Sequence, residues 1–385
     1  MDNAHRSLGS GGQVSTLLDT LAHYGPQTRA SIRTRTGWAR SRVSQVIAEL
    51  LDAQVLVETP QEATVGRGRP STQIALNPVT GVVVGLDFGF RHVRGIIADA
   101  THEIIARSEH DLHIDYSPAQ GIGAAVDLVE QLVQMAGVPR SRLARVGAAI
   151  PAPVDTVTGT ISVAGMMPSW DGVDVRDALT DAIGIPVVVD NDTKLAAYGE
   201  FRWGAAKGQV NVLYLKLHSG VGGAVIINES LVHGHSGAAG HFGHISVRHD
   251  GQLCRCGGRG CLETYVGIPA IVNALAPVHG DISFQKALQL LRSGDAATQR
   301  VFGDAAHMIG QVAGMLSNAL NPDLVVLGGA LSVVSSDLMP EIRAGLIAAS
   351  LPVNHETKIA VGELGADASA MGALGAALDS WLVAR

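Results

Sequence analysis

The stretch VVVGLDFGFRHVRGIIAD, residues 82–99, is two apolar runs on either side of a glycine-bearing turn. Runs of this length, rich in Val and Ile and bounded by Gly, are the pattern of buried strands. NVLYLKLHSGVGGAVIIN (211–228) repeats the design about 130 residues later. Helices and strands alternate after each copy. AVDLVEQLVQMAG (125–137) is a helix, RVGAAIPAPVD (145–155) a strand with a Pro-rich exit, and IPVVVDNDTKLAAYGEF (185–201) a buried strand running into a helix. AAHMIGQVAGMLSNAL (305–320) is a helix, and PDLVVLGGAL (322–331) a strand with a Gly turn. Two similar α/β halves facing each other make a cleft, and ligands belong at the carboxyl ends of such strands.

The bulk composition agrees. A chain of 385 residues, 46% hydrophobic and 16% charged, with 46 glycines, suits a multi-domain α/β protein with many tight turns. The net charge of −7 gives no global reason to bind nucleic acid or an acidic membrane. The charge is uneven, however: residues 1–77 carry eight Arg against six acids. No apolar run reaches the ~18 residues of a membrane span, and the first thirty residues lack a signal-peptide core. Three clustered cysteines do not make a disulfide framework. The chain reads as soluble and cytoplasmic, without a membrane partner, in a compartment where thiols stay reduced.

The first eighty residues carry the basic excess. QVSTLLDTLAHYG (13–25) and TRASIRTRTG (28–37) are helical patterns that stop at Gly25 and Gly37. ARSRVSQVIAELLDAQ (39–54) puts Val43, Val46, Ile47, Leu50 and Leu51 on one stripe and Arg40, Ser41, Arg42, Ser44 and Gln45 on the opposite face. Two helices joined by a short glycine-bearing turn read as a helix-turn-helix whose last helix enters a major groove. Arg pairs bidentately with guanine and Gln with adenine. Arg29, Arg33 and Arg35 suit phosphate contacts. Ala39 stands where a capping Ser is expected, which costs about 1 kcal/mol unless Ser41 caps a later start. VLVETPQEATVGRGRPSTQIALNP (55–78) then reads as a β-hairpin wing, with Arg67 and Arg69 in its loop suited to a narrow minor groove. A solvated helical face is the competing reading of these arginines.

HFGHISVRHDGQLCRCGGRGCLET (241–264) holds all three cysteines. Cys254, Cys256 and Cys261 with one imidazole meet the tetrahedral demand of Zn²⁺ with no open position, so the ion is structural, one per chain. On spacing alone His241, His244 or His249 could supply the nitrogen. A redox switch is the weaker reading.

The CRCGGRGCLE run (254–263) with its preceding Gly-His resembles the signature of the ROK family, which unites bacterial repressors, open reading frames and sugar kinases. The resemblance covers nearly the whole chain and points to the family's transcriptional-regulator branch. It implies a winged helix-turn-helix DNA-binding domain over 1–80. Residues 81–385 then form an effector-binding domain of two α/β lobes, with the actin-like, ribonuclease-H-like sugar-kinase fold. The resemblance selects His244 as the zinc ligand and implies a sugar-binding set of Asn191, Asp192, His244 and Glu263.

Departures from the family pattern matter as much. Where family kinases carry Asp-x-Gly-Gly-Thr to hold ATP phosphates, this chain reads Asp87-Phe88-Gly89-Phe90-Arg91, and a bulky ring there is expected to close the nest. A Gly-Thr-Gly turn reads His218-Ser219-Gly220, and a late Gly-Gly turn survives as Gly328-Gly329. Asp192 stands at the kinases' general base. Without a phosphate cradle it is expected to accept a hydrogen bond from a ligand hydroxyl, or merely to cap the helix that follows. His241 stands where the family has a second pocket carboxylate, Met166 replaces a polar amide, and Ala152 replaces a Gly. The chain is therefore expected to be no enzyme. It is expected to be a regulator, most simply a repressor, of carbohydrate-related genes, with a sugar or sugar derivative in the cleft. A palindromic operator on double-stranded DNA would call for a homodimer or dimer of dimers. An ATP-dependent sugar kinase with an accessory DNA-binding module is the main alternative, and a protein-interaction scaffold the third.

Overall fold

The structure is a computed structural model that describes residues 13–60, 72–155, 158–161 and 168–383. The N-terminal module runs α1 (Gln13–Tyr24), β1 (Gln27–Thr28), α2 (Arg29–Thr36), α3 (Arg40–Asp52), β2 (Leu56–Pro60) and β3 (Thr72–Leu76). Its helices close on a core of Leu17, Leu18, Leu21, Ile32, Val43, Val46 and Ile47. Thr28 caps α2 by accepting a hydrogen bond from the Ser31 backbone N–H, and α2 ends at Gly37 in the left-handed conformation. Helix α3 starts at Arg40 behind Ala39, which makes no side-chain cap, so Ser41 lies inside the helix rather than at its cap. The strands form an antiparallel sheet of order β1-β3-β2, with Leu56 opposite Leu76 and Pro60 opposite Thr72. The hairpin loop with Arg67 and Arg69 lies outside the described residues, as does Met166.

The first lobe contains β4 (Val82–Phe88), β5 (His92–Asp99), β6 (Ile104–Asp111), α4 (Pro118–Met135), β7 (Leu143–Ile150), α5 (Val175–Ile183) and β8 (Val187–Asn191). Helix α6 (Asp192–Trp203) leads into the second lobe. That lobe contains β9 (Val212–Leu217), β10 (Val221–Ile227), β11 (Ser230–Leu231), α7 (Glu263–Val266), α8 (Ile268–His279), α9 (Phe284–Arg292), α10 (Ala296–Leu320), β12 (Leu324–Gly328), α11 (Met339–Ala349) and β13 (Lys358–Val361). Helix α12 (Ala368–Val383) closes the described chain. The sheet orders are β6-β5-β4-β7-β8 and β11-β10-β9-β12-β13. In each, the first three strands in sequence pair antiparallel and the last two join parallel. The repeat read from 82–99 and 211–228 is thus the opening hairpin of two topologically equal lobes, the actin-like arrangement.

Helices α6 and α12 lie between the two sheets. Ala197, Tyr198 and Phe201 of α6 pack on Val212, Tyr214 and Val326 of the second sheet. Leu374, Ala377 and Leu378 of α12 share a core with Val83 and Ile96 of the first sheet, and with Leu17, Leu18 and Leu56 of the N-terminal module. The two helices approach closely through glycines. A Cβ at Gly199 would stand 2.6 Å from the Ala368 carbonyl oxygen, and one at Gly372 would overlap the Leu195 carbonyl. The N-terminal module therefore rests on the same helix that grips α6, and α6 begins at Asp192.

Candidate effector cleft and metal centre

Strand β8 is largely buried and ends in Asp190 and Asn191, at the start of α6. Asn191, not Asp192, caps α6. Its Oδ1 accepts from the Thr193 and Lys194 backbone N–H groups at 3.0 and 3.2 Å. Its amide donates to the Ala152 carbonyl and to Asp192 Oδ1, both at 3.1 Å. All of Asn191's polar atoms are thereby engaged. Asp192 is freed from capping, yet it is not unpartnered: Lys216 Nζ lies 2.6 Å from its Oδ2. The same ammonium donates to Ser369 Oγ at 3.0 Å, and that hydroxyl donates to the Asp192 carbonyl at 3.1 Å. Burial would lower the Lys216 pKa, but the carboxylates of Asp192 and Asp87 outweigh it and hold the amine charged.

The turn that would hold phosphate in a kinase is covered. Gly89 N–H donates to the His92 carbonyl at 2.9 Å, and the His92 imidazole lies over the glycine. A Cβ at Gly89 would stand 2.6 Å from His92 Nε2 and 2.7 Å from Nδ1. Phe90 is 37% exposed, so the expected blocking ring is His92 rather than Phe90. At the second turn, His218 N–H bonds to the Gly220 carbonyl at 2.9 Å. A Cβ on Gly220 would meet Glu263 Oε2 at 2.6 Å. Burial lowers the His218 pKa, so its ring is neutral near pH 7. Gly329, in the third turn, packs against the Leu217 carbonyl.

Glu263 opens α7 and is held on two sides. Its Oε2 accepts from the Val221 N–H at 3.1 Å, and Arg255 grips both oxygens at 2.9 and 3.0 Å. His241 and His244 flank a short turn, with ring centroids 6.4 Å apart. Deeper in, Asp190 pairs with the fully buried Lys194 at 3.2 Å and with His233 at 3.0 Å, and Lys194 also donates to the Gly237 carbonyl. Burial would raise the Asp190 pKa, but the His233 hydrogen bond and the Lys194 charge together pull it below the usual carboxylate range. Lys216, His92, Arg255 and Lys194 were not singled out from the sequence. The one cue was Lys216, a lone charge inside an apolar strand.

The four thiol and imidazole groups converge. Ligand atoms of His244, Cys254, Cys256 and Cys261 all lie within 4.8 Å of one another. Cys256 Sγ is 3.6 Å from Cys261 Sγ, and Cys254 Sγ is 3.6 Å from His244 Nδ1. Tetrahedral bonds of ~2.3 Å to sulfur and ~2.0 Å to nitrogen predict edges of about 3.8 and 3.5 Å. The residues fit such an ion. Gly260, at φ +67°, turns the loop where any side chain would overlap the Arg248 carbonyl. Arg255 sits between two of the cysteines, so the same loop holds the metal ligands and grips Glu263. His241 is near the cluster but outside the four-residue set, and so is His249.

On the N-terminal module, Arg40, Ser41, Ser44 and Gln45 are exposed along α3 and Arg42 is half-buried. Arg42 donates to the Gln45 side-chain oxygen at 3.0 Å, and Gln45 donates to Glu49 at 2.9 Å. Arg29 is ion-paired with Glu58 at 2.6 Å, and Arg35 stacks on Tyr24, so neither is an unencumbered phosphate contact.

A two-lobed sugar-kinase fold with a covered phosphate turn, joined to a three-helix module with a hairpin, defines the class. The chain belongs to the ROK family, whose model matches residues 83–380. It is 26% identical to the xylose repressor of Bacillus spizizenii over 97% of this chain and 96% of that protein. It is 29% identical to a glucokinase of Halalkalibacterium halodurans over 78% of this chain and 94% of the enzyme. In fold it superposes on the crystal structure of a ROK family transcriptional regulator described as a homologue of the Escherichia coli MLC protein. That match has a TM-score of 0.81 and 23% identity, over 96% of this chain and 97% of the other. The repressor match thus extends over the N-terminal module, while the glucokinase match leaves about a fifth of this chain uncovered.

Proposed function

We propose that the chain is a DNA-binding transcriptional regulator, a repressor of carbohydrate-related genes, controlled by a sugar or sugar derivative in the interlobe cleft. Residues 1–80 act as the DNA-binding arm and 81–385 as the effector body. The observation that carries this reading is the Lys216–Asp192 ion pair. A carboxylate held at 2.6 Å by an ammonium cannot readily take a proton from a sugar hydroxyl, and His92 fills the turn that ATP phosphates would need. On this reading the site keeps polar groups for a ligand, and these two features argue against phosphoryl transfer.

Arg40, Ser41, Arg42, Ser44 and Gln45 face the major groove from α3, with Arg67 and Arg69 reaching the minor groove. Asp192, His241, His244 and Glu263 line the effector site, where Asn191 acts through its cap and its contact with Asp192. Zn²⁺ bound by His244, Cys254, Cys256 and Cys261 would brace the loop that carries Arg255, and supplies structure rather than chemistry. The protein works as a homodimer or dimer of dimers on a palindromic operator. No helix among the described residues is long and apolar enough to cross a membrane.

The test is selection of genomic DNA fragments by the full-length protein, followed by titration of Arg42→Ala on the enriched fragment. Loss of one base-reading arginine should weaken binding by about 1–3 kcal/mol, or five- to more than a hundredfold. An unenriched pool would sink the regulator reading. The kinase alternative, which the glucokinase similarity keeps in view, requires steady ADP release dependent on Asp192.

A further inference from the structure

Lys216 has no counterpart among the expected site residues, and its surroundings are specific. It sits on β9 of the second lobe, with its side chain only 18% exposed. Its ammonium reaches Asp192 at the first residue of α6 and Ser369 in the first turn of α12. Ser369 closes the triangle by donating to the Asp192 carbonyl. Three elements from different parts of the chain are therefore joined at one nitrogen. Replacing a buried ion pair by apolar residues is often neutral or stabilising, so the pair is weak evidence of a contribution to stability. A β9 position amid Val212, Leu213, Tyr214, Leu215 and Leu217 would more simply hold another apolar side chain.

The downstream path is continuous packing. α12 is interlocked with α6 through Gly199 and Gly372. Its outer face carries Leu374, Leu378 and Trp381 into the core shared with Leu17, Leu18 and Leu21 of α1. Trp381 also lies against Gly81 at the entry to β4, where a Cβ would stand 2.9 Å from its ring. Asp192 accepts from three donors: Lys216 on Oδ2, and Asn191 and Thr193 on Oδ1 at 3.1 and 3.3 Å. A carboxylate has about four acceptor positions, so a ligand hydroxyl that bonds Asp192 shares it with these donors and weakens the Lys216 contact.

We propose that Lys216 is an internal clasp that ties the start of α6 to α12 and so to the N-terminal module, and that an uncharged polyol bonding Asp192 acts by weakening that tie. The proposal rests on the reading of the cleft as the effector site, but its test needs neither DNA nor effector. Hydrogen–deuterium exchange is measured on the full-length protein and on the Lys216→Met, Lys216→Arg and Ser369→Ala variants. Lys216→Met should speed exchange in the first turns of α12 and in α1 about tenfold, the effect of losing a charge-assisted hydrogen bond, and leave α10 unchanged. Lys216→Arg should restore most of the protection. Ser369→Ala leaves the Lys216–Asp192 pair in place and should still speed α12 and α1. Unchanged exchange in α12 or in α1, in either Lys216→Met or Ser369→Ala, overturns the clasp. So does equal acceleration everywhere in Ser369→Ala. Failure to enrich DNA would overturn the regulator reading and leave this result untouched.

Discussion

Three glycine-to-alanine substitutions should separate close helix contact from helix propensity. In an open helical site the change stabilises by about 0.5–1 kcal/mol, because Ala loses less backbone entropy. Gly303 in α10 is such a site: the nearest atom to a new Cβ is Glu341 Cγ at 3.9 Å. Gly199 in α6 is not, since its Cβ would stand 2.6 Å from the Ala368 carbonyl oxygen and 3.0 Å from the Gly372 nitrogen. Both are backbone atoms, so α6 and α12 must part by about 0.5–1 Å. Overpacking on that scale costs roughly 1–3 kcal/mol, which leaves a net loss of about 1–2 after the propensity gain. Gly372 is tighter still. Its Cβ would overlap the Leu195 carbonyl and stand 2.9 Å from Leu195 Cα, so a loss above ~3 kcal/mol is expected. Urea unfolding followed by tryptophan fluorescence reads all three. The order Gly303→Ala above wild type, then Gly199→Ala, then Gly372→Ala is the prediction. Finding Gly372→Ala within about 0.5 kcal/mol of wild type would refute the clamp between the two helices.

Purified protein should carry one zinc per chain by metal analysis, and Cys256→Ser should fall well below that and melt at lower temperature. Asp190→Asn strands the buried Lys194 without its counter-charge and should destabilise by about 3–5 kcal/mol at pH 7. The Asp190 pKa is depressed in the fold, so this stability is present above the ordinary carboxylate range of about 4 and is lost as pH falls through the lowered value. The melting difference from wild type should therefore persist from pH 7 to pH 9. With ATP, Mg²⁺ and D-glucose or D-xylose, ADP release should stay at background in a coupled assay. Lys216→Thr should not restore it, because His92 still covers Gly89.

What the sequence made legible was what is local or periodic. The lobes could be read because buried strands are continuous apolar runs, and two copies of one hairpin imply two copies of one sheet. The metal cluster could be read because three of its four ligands lie within eight residues. Helix α12, ASAMGALGAALDSWLV, gave no clear stripe, because it is buried on opposite sides by α6 and by the first sheet and N-terminal module. Side-chain pairing between elements was illegible for a different reason. Lys216 meets an aspartate 24 residues before it and a serine 153 residues after it. The ring over Gly89 is His92, three residues on, while the nearer Phe90 turns outward. A neighbour in sequence is a poor guide to what fills a turn whose next strand doubles back over it.

Asp192 is the residue whose meaning changes most under this geometry. A carboxylate at the kinases' base position invites a catalytic reading, and a carboxylate beside a helix start invites a capping one. Asn191 does the capping, so helix α6 would form without Asp192. Lys216 holds one of its oxygens, and His92 lies over Gly89. What remains is a half-buried charged group whose partners are fixed. Those partners lie on β9 and α12, so the pair joins the second sheet to the two interlocked helices. Under the proposed function, an aspartate so held serves ligand response rather than turnover. Its replacement by Asn should accordingly alter the coupling between cleft and N-terminal module before it alters the fold.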